Sequence, residues 1–134
     1  MYYILELYSP PWVIKKMKNE RPQITELLVA NGLAKVAARV LACFKDDDDE
    51  LTQVDMESKA RLRQPEVSIG TSYLIERGWL ACRKRRQPEG RGRPVNLYRL
   101  TMPMRDIVSE IVRERTREID RQQELAAELL QAVA

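Results

Sequence analysis

Between residues 33 and 44 apolar side chains recur at steps of three and four: Leu33, Val36, Ala37, Val40, Leu41 and Phe44. That spacing lines up one face of a helix and predicts a core helix, with Cys43 beside the stripe. Ahead of it, Pro22 opens a helix carrying Ile24, Leu27 and Leu28 on one face, and Asn31-Gly32 ends it. Ser9-Pro10 has the form of a cap with proline in the first turn, predicting a helix to about Asn19. Residues 1–8 are apolar and aromatic (Tyr2, Tyr3, Ile4, Leu5, Leu7, Tyr8), an arm or short strand that must pack on something.

Two further helices follow an acidic run over 46–50. Thr52 and Asp55 have the spacing of a helix-starting cap, Met56 and Ala60 lie four apart on one face, and Leu62 follows the turn. Gln64-Pro65-Glu66 then opens the second helix, since proline is tolerated in a first turn. Val67, Gly70, Thr71 and Leu74 share its inward side, which leaves Gln64, Pro65, Ser68, Ile69, Ser72 and Tyr73 outward. Gly78 terminates it. Residues 79–86 and 95–100 alternate as strands do, bridged by QPEGRGRP, whose glycines and prolines forbid regular structure.

Pro103 starts a last helix running to Val133. Ile107, Ile111, Ile119, Leu125, Leu129 and Leu130, with Val108 and Val112, make an imperfect apolar stripe along it. A helix of about thirty residues is roughly 45 Å long, more than a small domain covers alone, so its outer part is expected to need another chain. The pattern as a whole predicts a mostly α fold with a small β-wing, an α+β single domain over 1–134. Residues 1–32 form an arm and helices, 33–101 the central unit and 102–134 the closing helix.

Charge changes this picture more by distribution than by sum. The formal net charge is +3, yet residues 59–99 hold eleven basic side chains against three acidic ones, leaving the remainder at −5. Such asymmetry suggests a strongly negative partner meeting one face. With no histidine and only Cys43 and Cys82, an ordinary zinc site is excluded and the commonest general base is missing. The two thiols read as reduced and partly buried, with redox sensing the minor alternative. The acidic run reads as a solvated loop in preference to a cation site, because consecutive residues cannot all point at one ion. No apolar run approaches a membrane span and no secretion leader is evident, so a cytoplasmic protein without membrane contact is expected. No metal or cofactor is expected, and neither is an enzyme: no nucleophile–base pairing and no phosphate-cradling glycine motif stands out.

The span L-T-x-x-D-M…L-R-Q-P-E-V-S…L-I-E-R-G-W…G-R-G-R-P-V-N-L-Y-R-L-T resembles winged helix-turn-helix transcriptional regulators, the archaeal and MarR-like dimeric repressors in particular. The match covers about fifty residues. Helix pair, E-R-G corner and G-R-P wing occur in the family's order, and the strand after the wing makes the pattern specific. The resemblance implies a homodimer on double-stranded DNA, gripping a pseudo-palindromic operator, with flanking helices as the dimer interface. Carried over residue by residue, the base-reading positions fall on Gln64, Ser68, Ile69, Ser72 and Tyr73, and the wing tip on Arg91 and Arg93. Backbone or minor-groove contacts fall on Thr52, Arg61, Arg63, Lys84 and Arg86. Dimerisation falls on Trp12, Ile107, Ile111, Ile119, Leu125 and Leu129. One departure stands out: many relatives have glycine in the turn where this chain has Arg61. A positive φ there would cost an arginine on the order of 1 kcal/mol, so a wider turn is expected.

These residue types suit the two surfaces of DNA. Gln64 can pair with adenine through its amide, Ser68 and Ser72 can reach a base or a phosphate, and Ile69 can touch a thymine methyl. None is a guanine-reading arginine, so modest and partly shape-based discrimination is expected. The alternative for the serines is a merely solvated helix face. Of Arg83 to Arg86, strand alternation lets at most half face a duplex. Arg91 and Arg93 suit a narrow minor groove. Trp79, Tyr98 and Phe44 read as core. A rival reading is a winged-helix protein-interaction module without DNA specificity of its own. A small-molecule effector is compatible with either, but nothing in the sequence marks a pocket.

Overall fold

The computed structural model describes residues 23–86 and 92–134. The expectations for the arm, for the helix after Ser9-Pro10, for Trp12 and for Arg91 lie outside these residues. The described chain runs α1 (Ile24–Ala30), α2 (Lys35–Leu41), β1 (Glu50–Thr52), α3 (Gln53–Ala60), α4 (Gln64–Glu76), β2 (Leu80–Arg85), β3 (Val95–Leu100) and α5 (Met104–Ala132).

The apolar stripe over 33–44 is buried as its spacing requires, but α2 is shorter than the stripe. Leu33 lies ahead of it, its N–H bonded to Leu28 O at 3.0 Å to close α1. At the other end Cys43 and Phe44 donate three residues back, to Val40 O and Leu41 O at 3.1 and 3.2 Å. The chain there tightens off the helix axis while both side chains stay in the core. Around this stripe pack Met56 of α3, Val67 and Leu74 of α4, Trp79, and Ile107 and Ile111 of α5, making one core.

The sheet has three strands in the order β1-β3-β2, all antiparallel. Its registers place Leu51 opposite Tyr98 and Tyr98 opposite Cys82, with Leu80 opposite Leu100. Cross-strand partners share a face, so Leu51, Leu80 and Leu100 turn one face of the sheet onto the helices. The strand β1 is a correction to the solvated loop expected over 46–50. Glu50 belongs to it and holds Arg83 of β2 through both carboxylate oxygens, at 2.9 and 3.1 Å. Two other carboxylates of the run bond backbone. Asp49 accepts from the N–H groups of Lys45 and Asp46, each at 3.0 Å. Asp47 accepts from Met104 N at 2.9 Å and so satisfies an orphan donor at the start of α5. No cluster of potential metal ligands occurs among the described residues.

The closing helix α5 is 29 residues long. Ile107 and Ile111 are 0% and 4% exposed within their own protomer, which corrects their expected place in a dimer interface: they are core. From Arg113 onward every residue except the half-buried Arg115 is exposed, among them Ile119, Leu125, Leu129 and Leu130. No helix among the described residues is long and apolar enough to cross a membrane.

Candidate nucleic-acid interface

The surface of interest is built from the α3–α4 pair outward. Thr52 starts α3 through a reciprocal cap: its Oγ1 accepts from Asp55 N at 3.1 Å, while the Asp55 carboxylate accepts from Thr52 N at 2.9 Å. The hydroxyl expected to reach DNA backbone is therefore engaged as an acceptor in the fold. Three residues, Arg61 to Arg63, join α3 to α4. Arg61 adopts φ 53° and ψ 48°, the left-handed conformation. The wider turn anticipated for an arginine does not occur; Arg61 takes the strained backbone angle instead. Arg39 of α2 holds this corner, Nη2 donating to Ala60 O at 2.6 Å and to Arg61 O at 3.3 Å. Those carbonyls sit at the negative end of α3, where a cation is favourable.

Beyond the corner α4 begins with Pro65 in its first turn, and Glu66 accepts from Arg63 N at 3.0 Å. Its inward side is as its spacing predicts: Val67, Gly70, Thr71 and Leu74 are buried. Gly70 lets α4 press directly on α2, since a Cβ there would lie 2.7 Å from Val40 Cγ2. The buried Thr71 hydroxyl donates to Ser68 O at 3.1 Å. On β3, burial pushes up the pKa of the half-buried Tyr98 phenol.

That edge carries Gln64, Pro65, Ser68, Ile69 and Ser72, all exposed. Ile69 is 65% exposed. Tyr73 departs from the expectation. It is half buried against the core, with the Arg77 guanidinium 5.8 Å from its ring centroid. It borders a small cleft with Leu33, Trp79 and Ile111, on the α5 side of the helix.

Exposed cations occur in the turn before α4 and on or beside the strands after it. Arg61 and Arg63 are exposed beside the first turn of α4. On β2, Lys84 shares the strand parity of Leu80 and Cys82, the face turned to the helices, and Arg86 just beyond continues it; all of these past Leu80 are exposed. Arg83 lies on the opposite face, neutralised by Glu50. Arg93 is exposed where the chain returns toward β3, next to Gly92 at φ 79°.

Sequence reasoning missed the junction at the other end of α4. The Arg77 guanidinium stacks 4.7 Å from the Trp79 ring centroid and bonds the Glu114 carboxylate of α5, a bond that pushes its pKa further up. Trp79 Nε1 donates to Glu110 at 2.6 Å. Glu110 and Glu114, four apart on α5, were the available signal, but only the fold brings them to Arg77 and Trp79. The C-terminal end of α4 and the closing helix are joined by this cluster.

Comparison with known proteins finds no matching family model and no matching curated protein. Among solved structures, one described as a possible transcriptional regulator from Methanosarcina mazei Go1 aligns at a TM-score of 0.57 and 18% identity, over 79% of this chain and 86% of that one. A MarR family transcriptional regulator from Silicibacter pomeroyi aligns more loosely, at a TM-score of 0.46 and 20% identity, over 100% of this chain and 94% of that one. What the likeness establishes is architecture: helix pair, three-stranded wing sheet and long closing helix make this a winged-helix α+β fold.

Proposed function

We propose that the protein is a sequence-specific, double-stranded-DNA-binding transcriptional regulator of the cytoplasm that acts as a homodimer and catalyses no reaction. The observation carrying this reading is the exposed α4 edge of Gln64, Ser68, Ile69 and Ser72, with exposed cations at Arg61 and Arg63 in the turn before it and at Lys84, Arg86 and Arg93 on or beside the strands after it. An α-helix of this kind fits a major groove, with its first turn nearest the bases. Gln64 reads adenine, Ile69 meets a thymine methyl, and the serines bond base or phosphate. The flanking cations hold phosphates, and Arg93 with Arg91 serves the minor groove. A solved structure of like fold that is described as a possible transcriptional regulator supports the reading.

Dimerisation follows from α5. Ile119, Leu129 and Leu130 are 46%, 66% and 71% exposed, an apolar sector no part of the described protomer covers. A second copy buries it, with Leu125 and Trp12 completing the contact, and sets two α4 edges about 34 Å apart on one face of the duplex. Selection from a random duplex pool tests binding, symmetry and spacing together. The expected product is a pseudo-palindrome with half-sites one helical turn apart. Failure to enrich any duplex at moderate salt overturns the proposal in favour of a protein-interaction module.

A further inference from the structure

A second concavity is formed by the start of α1, one face of α2 and the end of α3. Its volume is about 530 Å3, within the range of small-molecule sites. Lys35 and Arg39 stand on its α2 wall four residues apart, Lys59 on its α3 wall, and Lys45 where the chain leaves α2. Its floor is small and apolar, from Ala42, Cys43 and Ala60. The only carboxylate among these lining residues is Glu26, and Glu26 already has a partner. Among the described residues none of the three lysines is in an ion pair. Four cations and one carboxylate around one cleft leave a positive excess in its lining, which raises the local concentration of anions. The same cations act on Cys43. Burial pushes the thiol's pKa up, but Lys59, Lys45 and Arg39 each pull the other way.

We infer that this cleft binds a small phosphate-bearing molecule, held by Lys35, Lys45 and Lys59 and by the donors of Arg39 not spent on the turn. Arg39 uses one nitrogen, Nη2, for the carbonyls of Ala60 and Arg61. A guanidinium carries five N–H donors, so Nε and Nη1 remain for a phosphoryl oxygen. The same side chain therefore touches the ligand and the corner that aims α4, which couples occupancy to the recognition edge. The smaller cleft beneath α5 is a poorer candidate, because its charged groups Arg77 and Glu114 satisfy one another. A concave site among three helices also suits a compact ligand better than the backbone of a duplex.

The test titrates the full chain with inorganic pyrophosphate by calorimetry at constant ionic strength, then repeats it with Lys35→Gln combined with Lys59→Gln. Both lysines are exposed, so the variant keeps the fold, which circular dichroism checks. Saturable binding is expected, weakened about tenfold or more in the variant by the loss of two charge-assisted contacts. Absence of saturation, or equal binding by the variant, overturns the inference. A duplex arm separates the two sources of phosphate. If the variant instead loses affinity for duplex, with its log–log salt slope flattened by about 2, while pyrophosphate never saturates, the lysines are DNA contacts and the inference falls. Pyrophosphate binding without any duplex binding leaves the inference standing and removes the proposed regulatory role.

Discussion

Replacing Gly70 with alanine sets two effects of known sign against each other. Alanine in a helix interior is favoured over glycine by about 1 kcal/mol. Against this, the new methyl lies 2.7 Å from Val40 Cγ2 and 3.2 Å from both Val36 Cγ1 and Val36 O. Carbon pairs rest at about 3.5–4.0 Å, so α2 and α4 must part by roughly 1 Å. Val40 is 0% exposed and branched at Cβ, with no free rotamer to retreat into. Overpacking of this kind costs about 1–3 kcal/mol, which exceeds the propensity gain. The expected net destabilisation is about 1 kcal/mol, seen as a Tm lower by several degrees in thermal unfolding followed by circular dichroism. A second background sharpens the test. With Val40→Ala already present the methyl has room, and Gly70→Ala should then stabilise by up to about 1 kcal/mol. A Tm that rises on Gly70→Ala in the otherwise unchanged chain refutes the close-packing argument.

Other outcomes are expected as well. Arg61→Gly relieves a left-handed arginine and should leave stability unchanged or raise it by up to about 1 kcal/mol in urea unfolding, while weakening duplex binding; a clear loss of stability contradicts the backbone angle. Cys82 should alkylate readily in the native protein and Cys43 only on unfolding, read by mass spectrometry, because the first is exposed and the second buried with a raised pKa. The unfolded Cys43 thiol titrates near 9.0 and the folded one higher, so its contribution to stability is whole below that pH and is lost as pH climbs past it; Cys43→Ala should flatten that alkaline decline. Lys84→Ala with Arg93→Ala should reduce the log–log salt slope of duplex binding by about 2, and an unchanged slope removes the wing from the interface. Ile119→Asp with Leu129→Asp should yield a folded monomer by sedimentation, since both side chains lie outside the protomer's core; an unaltered mass assigns dimerisation elsewhere or to neither.

The parts of this fold that follow local rules were readable before any coordinates. Three- and four-residue spacing located the core stripe and the two sides of α4, proline and glycine placed helix ends, and alternation found β2 and β3. What escaped reading depends on partners remote in sequence. A three-residue strand is too short for any period to register, so β1 became visible only through its pairing with β3. The acidic run gave no hint that Asp47 would bond the N–H of Met104, 57 residues away. Ile107 and Ile111 share a stripe with Ile119 and Leu129, and nothing local divides the half that meets its own core from the half that meets none. Tyr73 adjoins Ile69 on the helix, yet the nearness of Arg77 and the α5 side decides its burial.

The bonds from Arg77 and Trp79 to Glu114 and Glu110 give α5 a fulcrum. About twenty residues extend past it and about eight precede it, arms of roughly 30 and 12 Å at the rise of an α-helix. A rigid rod pivoting there converts a 5 Å swing of its free tip into roughly 2 Å at its base by that ratio. That reduced motion is delivered at the start of α5, where Asp47 accepts from the Met104 N–H, so movement of the tip is passed to the loop that leads into β1.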